Sequence, residues 1–231
     1  MQNQDVDSAN AVAPAKAGFA ACKAAGYLAA AMILSTTFAP CFAAEDPEHE
    51  HAMDHSMHEH HMAAKPGVFS RSVADYTIPD VKLVDMSGEE AALHDVLSSN
   101  SPIILNFIFT TCTTICPVMS ATFQQVQMQL GPKRSNAHMV SISIDPENDT
   151  PARLKEYAGK YGVGSQWKML TGSLENSIAV QRAFGVLAGD KMNHKPVTFL
   201  KAKGSENSWV RLDGLVEARQ IIKEFDKLKS R

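Results

Sequence analysis

Residues 102–109 read PIILNFIF, a nearly continuous apolar run, and it stops directly on TTCTTICP at 110–117. A strand of that composition is covered on both faces, which places it in the middle of a sheet rather than at an edge. After Pro117, Met119, Phe123, Val126 and Leu130 recur at spacings of four, three and four, one stripe of an amphipathic helix. A buried strand therefore feeds Cys112 and Cys116 onto the mouth of a helix. Open α/β sheets place their ligands at that junction.

The rest of the chain after Asp75 continues the alternation. Residues 76–84 (YTIPDVKLV) predict a strand pair or extended entry, with Pro79 forbidding a long central strand. Ala91–Leu97 predicts a short helix. Residues 139–144 (MVSISI) predict a second strong strand. Thr150 before Pro151 reads as an N-cap followed by proline at the first helical position, and Gly162 ends that helix. Trp167–Leu170 predicts a short strand. Leu174–Phe184 predicts a helix with Leu174, Ile178, Gln181 and Phe184 towards one side. Val197–Lys201 and Ser208–Leu212 flank a turn and predict a hairpin. A last helix near Val216–Leu228 buries Ile222, Phe225 and Ile221. The order βαβαβαββα describes an α/β protein of thioredoxin-like fold, a central mixed sheet flanked by helices.

Upstream, the chain reads as an address and a tether. Lys16 and Lys23 precede an apolar run from Ala24 to Phe42, and a strongly polar stretch follows. Basic residues, an apolar stretch and small residues form the secretory pattern, with cleavage after Ala43 or retention as a membrane anchor. Six of the nine histidines (His49, His51, His55, His58, His60 and His61) stand in EDPEHEHAMDHSMHEHHM with Met53, Met57 and Met62. That tract has no apolar periodicity with which to build a core. It reads as a flexible linker whose imidazoles and thioethers suit weak copper capture. The expected organisation is 1–44 as signal peptide or anchor, 45–70 as His/Met-rich linker and 71–231 as the folded domain. The expected location is the bacterial periplasm or cell envelope, soluble after cleavage or anchored to the inner membrane. A formal net charge of −3 gives no argument for nucleic acid.

Four cysteines (Cys22, Cys41, Cys112 and Cys116) do not make a disulfide scaffold. The close pair suits redox exchange or metal binding. A helix N-terminus favours thiolate over thiol, and a four-residue spacing puts both sulfurs on one face. Such a pair holds a soft monovalent copper ion or closes into a disulfide. His194 lies in a polar loop just before the 197–201 strand, and in this fold that loop comes near the cysteine-bearing helix. His94 and His138 read as ordinary histidines at element boundaries. No arginine stands beside Cys112, which argues against peroxide chemistry.

Three segments together resemble the Sco/SenC family of copper chaperones for cytochrome oxidase assembly. They are FIFTTCTTICP at 107–117, SIDPENDTP at 143–151, and His194 ahead of the Val197–Lys201 strand. The resemblance spans roughly 75–229. It implies copper as the bound metal, with Cys112, Cys116 and His194 as its ligands. It also implies Cys112 and Cys116 as a redox-active pair, and a copper-accepting partner such as a cytochrome oxidase subunit or another cuproenzyme. An alternative activity is thiol–disulfide exchange that reduces the cysteines of a partner's copper site. The SIDPENDTP stretch reads only as a turn capping the next helix. This chain departs from the family with Asn193 before the histidine, Thr113-Thr114-Ile115 between the cysteines, and Lys195-Pro196 after the histidine. Pro196 is comparable to the cis-proline that thioredoxins set opposite their cysteines.

Overall fold

The computed structural model describes residues 67–98, 100–131 and 137–229. The expected secretory segment and the His/Met tract lie outside the described residues. Among the described residues, no helix is long and apolar enough to cross a membrane.

Ile103–Ile108 forms the strand that the apolar run predicts, and all six residues are buried. It is β4 of the eight strands among the described residues. Before it come β1 (Phe69–Asp75), β2 (Lys82–Asp85), β3 (Glu90–Ala92) and helix α1 (Leu93–Leu97). After it come α2 (Ile115–Leu130), β5 (His138–Ser143), α3 (Pro151–Lys160), β6 (Trp167–Thr171) and α4 (Leu174–Ala183). A short 3₁₀ turn (Lys191–Asn193), β7 (Val197–Lys201), β8 (Ser208–Gly214) and α5 (Ala218–Lys229) complete the domain. The sheet runs β1-β8-β7-β4-β5-β6-β2-β3. Strands β4, β5 and β6 pair in parallel, and the outer pairings are antiparallel. This is the mixed α/β thioredoxin-like sheet that the sequence order predicts, extended by strands at its margins.

The differences from the expected elements have local causes. Strand β1 carries no alternating apolar signal because it is an exposed edge, held by backbone pairing to β8. Ala91 and Ala92 are strand, not helix. Asp85 accepts hydrogen bonds from the Ser87 N–H, the Ser87 hydroxyl and the Glu89 N–H, closing a β2–β3 hairpin first. On α4, Leu174 is exposed, and the inward face is Ser177, Val180 and Gln181. Those polar residues face inward because Ser177 donates to the Ser143 carbonyl (3.1 Å) and Gln181 to the Ile144 carbonyl (3.4 Å). They meet the backbone where β5 ends.

The α2 stripe is as expected: Met119, Phe123, Val126 and Leu130 are all buried. On the β4–β7 side, Phe107 and Phe199 pack with Phe184, Tyr76 and Trp209 at ring-centroid separations of 5.2 to 6.5 Å. Gly214 closes the β8 end. Its φ is +125°, and a Cβ there would sit 2.6 Å from the Val68 carbonyl oxygen, so only glycine fits. Its N–H donates to the Pro196 carbonyl (2.9 Å).

Candidate metal centre

Three loops meet at the C-terminal end of β4. The first leads from β4 into α2 and carries the cysteines. The second leads from β5 into α3, and β5 lies parallel beside β4 with Ile108 opposite Ser143. The third leads from α4 into β7. Because β7 runs antiparallel to β4, with Asn106 opposite Thr198, its start lies at this same end. A cavity of about 800 Å³ lies elsewhere. It opens at the N-terminal end of β5 beside His138 and contains no cysteine.

Cys112 and Cys116 are free cysteines, and both are buried. Thr114 is the N-cap residue of α2, yet its side chain makes no capping bond. The sulfur does that work instead: the Cys116 N–H donates to Cys112 Sγ at 3.4 Å. The Thr114 hydroxyl lies 3.7 Å from the same sulfur. These donors separate the two thiols. Burial pushes the Cys112 thiol up, but the Cys116 and Thr114 hydrogen bonds favour the thiolate and the net shift is downward. Burial pushes Cys116 far above the ordinary thiol range, reinforced by the negative charges of Cys112 and Asp149. Cys112 is thus the less deeply buried thiol and the one more readily ionised, and Cys116 the deeper one. Alkylation of Cys112 should begin at lower pH than for an ordinary thiol, because its thiolate persists there, while Cys116 stays unlabelled until unfolding. Peptide mass spectrometry across a pH series checks this; equal labelling of both would contradict it.

His194 follows a polar loop, yet it is only 6% exposed. Its Nε2 lies 3.1 Å from the Phe107 carbonyl oxygen. A carbonyl only accepts, so Nε2 carries the proton and Nδ1 carries the free lone pair. Nδ1 is buried and has no hydrogen-bond partner among the described residues. Burial lowers the ring's pKa, partly offset by the Phe107 bond, so the neutral form is favoured. The ring also lines a cavity of about 280 Å³ with Val186, Leu187 and Arg211.

The structure brings Cys112 and Cys116 into direct contact and sets His194 on the backbone of the strand that leads to them. Among the described residues, no group of three or more His, Cys, Asp or Glu side chains is already gathered around one metal position. The donor chemistry nonetheless suits copper(I): two soft sulfurs, and one neutral imidazole with a buried, unpartnered lone pair. Pro196 departs from the thioredoxin comparison, since no cis peptide bond occurs among the described residues. The bond from the Gly214 N–H to its carbonyl instead carries the chain into β7.

The SIDPENDTP stretch does more than the sequence suggests. Thr150 caps α3 by accepting from the Arg153 N–H (3.3 Å), as expected. Beside it, buried Asp149 accepts from the Thr110 N–H (3.1 Å), the Thr110 hydroxyl (2.6 Å) and the Ser143 hydroxyl (2.6 Å). Asp145, also buried, accepts from Lys191 Nζ at 2.6 Å and from Asn148 Nδ2 at 3.0 Å. Burial pushes the Asp149 carboxyl up against the pull of its donors. The sequence signal for these roles was the pair of carboxylates four apart at a strand end, which helix capping alone does not require.

A thioredoxin-like sheet with a free cysteine pair at the β4–α2 junction defines the class of protein by its fold. Within it the assignment is specific. The SCO1/SenC family model matches residues 70–226, more than half of the chain, and the chain belongs to that family. A SCO1 protein homolog of Bacillus subtilis is 40% identical over 76 residues, covering 32% of this chain and 39% of that protein. The chain thus matches well under two thirds of that relative's length. Among solved structures, BsSco has a TM-score of 0.58 at 24% identity, covering 69% of this chain and 96% of that one. It is described as having a disulfide switch and as a member of the Sco family of cytochrome c oxidase assembly proteins. Yeast Sco1 with copper bound has a TM-score of 0.55 at 22% identity, covering 67% and 96%. At these identities the structures establish the shared fold.

Proposed function

We propose that this chain is an exported copper(I) metallochaperone that supports assembly of a copper enzyme such as cytochrome c oxidase. Cys112, Cys116 and His194 are its ligands, and the copper is cargo rather than a resident cofactor. The observation that carries this reading is the buried, unpartnered Nδ1 of His194 at the strand end that also bears the cysteine pair. Family membership supports it, as does the copper held by yeast Sco1. The polar N-terminal tract would gather copper weakly in the periplasm or cell envelope, and the folded domain would hold it for transfer. Chelator competition on the reduced domain, residues 65–231, should give one copper(I) per chain. His194→Ala should weaken that binding more than tenfold, about 1.4 kcal/mol or more. Unchanged affinity in that variant would remove the histidine from the site.

The inequality between the thiols favours a second, compatible reading: reduction of a partner's disulfide. Cys112 thiolate attacks one partner sulfur and forms a mixed disulfide, and the other partner sulfur leaves as a thiolate that takes up a proton. Cys116 then loses its proton and attacks the Cys112 sulfur. The partner's second thiol is released and this chain is left oxidised. Cys116→Ser should trap the mixed disulfide and Cys112→Ser should not. Absence of a trapped species with either variant would defeat this activity.

A further inference from the structure

Two halves of the proposed copper site arrive on different loops, yet both are tied to one segment. On the cysteine side, Asp149 holds both the backbone and the hydroxyl of Thr110, two residues before Cys112. On the histidine side, Asp145 holds Lys191, three residues before His194. Lys191 begins the 3₁₀ turn Lys191–Asn193, and its carbonyl accepts the His194 N–H at 3.1 Å. The same ammonium sits 5.8 Å from the centre of the Phe109 ring, and the Phe109 carbonyl accepts the Cys112 N–H (3.3 Å). Ser143 ties the two carboxylates together: its hydroxyl donates to Asp149 and accepts from the Asp145 N–H (3.0 Å). Asp145 and Asp149 are almost wholly buried, so neither is a solvated surface charge.

We propose that Lys191 is a positioning residue for the metal site, a strut from Asp145 that fixes the turn presenting His194 against the cysteine loop. This rests on the reading of Cys112, Cys116 and His194 as copper ligands. Lys191 does not touch the metal; it acts through His194. In metal sites, residues that orient a ligand carry effects of about 10- to 100-fold on affinity. A lysine that only decorated the surface would carry none.

The test uses the reduced full-length chain with copper(I) and a competing chelator. The readout is protection of Cys112 from alkylation, which reports the thiolate site whatever the histidine tract binds. Lys191→Met and Asp145→Asn should each lose protection at chelator concentrations about tenfold lower than wild type. Lys191→Arg, which keeps the ion pair, should behave as wild type. Combining Lys191→Met with His194→Ala should be no weaker than His194→Ala alone, because the lysine has nothing left to position. Wild-type protection in Lys191→Met, with His194→Ala clearly weakened, would overturn the positioning role and leave the ligand assignment standing. Additive losses in the double variant would also overturn it, since the lysine would then act on the thiolates directly. No effect of His194→Ala itself would overturn the ligand assignment and this inference with it.

Discussion

Replacing Cys112 or Cys116 with serine should lower the copper(I) affinity of the folded domain by about a thousandfold or more, roughly 4 kcal/mol. The hydroxyl of serine is a hard, protonated donor at neutral pH, whereas the site offers copper(I) soft thiolates. The two variants should differ in stability. Cys112 Sγ accepts the Cys116 N–H at the start of α2, where no other side chain caps the helix. Cys112→Ser places a shorter acceptor there, and Cys116→Ser buries a hydroxyl in an apolar setting. Chelator competition with a melting curve on each variant separates affinity from folding. Retention of wild-type affinity by either would mean that the metal is held elsewhere.

Asp149→Ala should be the most damaging change to the loops around the site, costing about 3–5 kcal/mol. The carboxylate satisfies the Thr110 N–H, the Thr110 hydroxyl and the Ser143 hydroxyl, all in or near the core. Alanine leaves all three without their acceptor. For a domain of this size the melting temperature should fall by roughly 10 °C. Asp149→Asn keeps one acceptor oxygen and should lose less. A melting temperature within 2 °C of wild type for Asp149→Ala, on the scale of about 2–4 °C per kcal/mol, would show that water replaces the carboxylate and that this network is not structural.

The centre of the fold was readable because its signals are physical and local. A six-residue strand with both faces covered must be almost wholly apolar, and Ile103–Ile108 is, its one polar residue, Asn106, being buried and accepting the Ser141 hydroxyl. A helix that buries one face must repeat its apolar residues as Met119, Phe123, Val126 and Leu130 do. The margins were not readable. Strand β1 is held by backbone pairing, which leaves no mark on side-chain pattern. The inward face of α4 is polar because it meets carbonyls at the end of β5, a fact of tertiary contact.

The site divides the same way. The cysteine pair announces itself by its spacing before Pro117 and its place after a buried strand. His194 needed the antiparallel register of β7 against β4 to come near it, and its burial against the Phe107 carbonyl lies beyond any local pattern. Asp145, Asp149 and Lys191 act across separations of 39 to 46 residues in sequence, so their partners become visible only once the loops are assembled.

Copper K-edge X-ray absorption on the reduced domain, loaded with one equivalent of copper(I), tests the ligand assignment most directly. Two sulfur scatterers and one imidazole nitrogen are expected, with the nitrogen lost in His194→Ala. Two sulfurs alone in the unaltered protein, or an imidazole that survives removal of His194, would contradict the account.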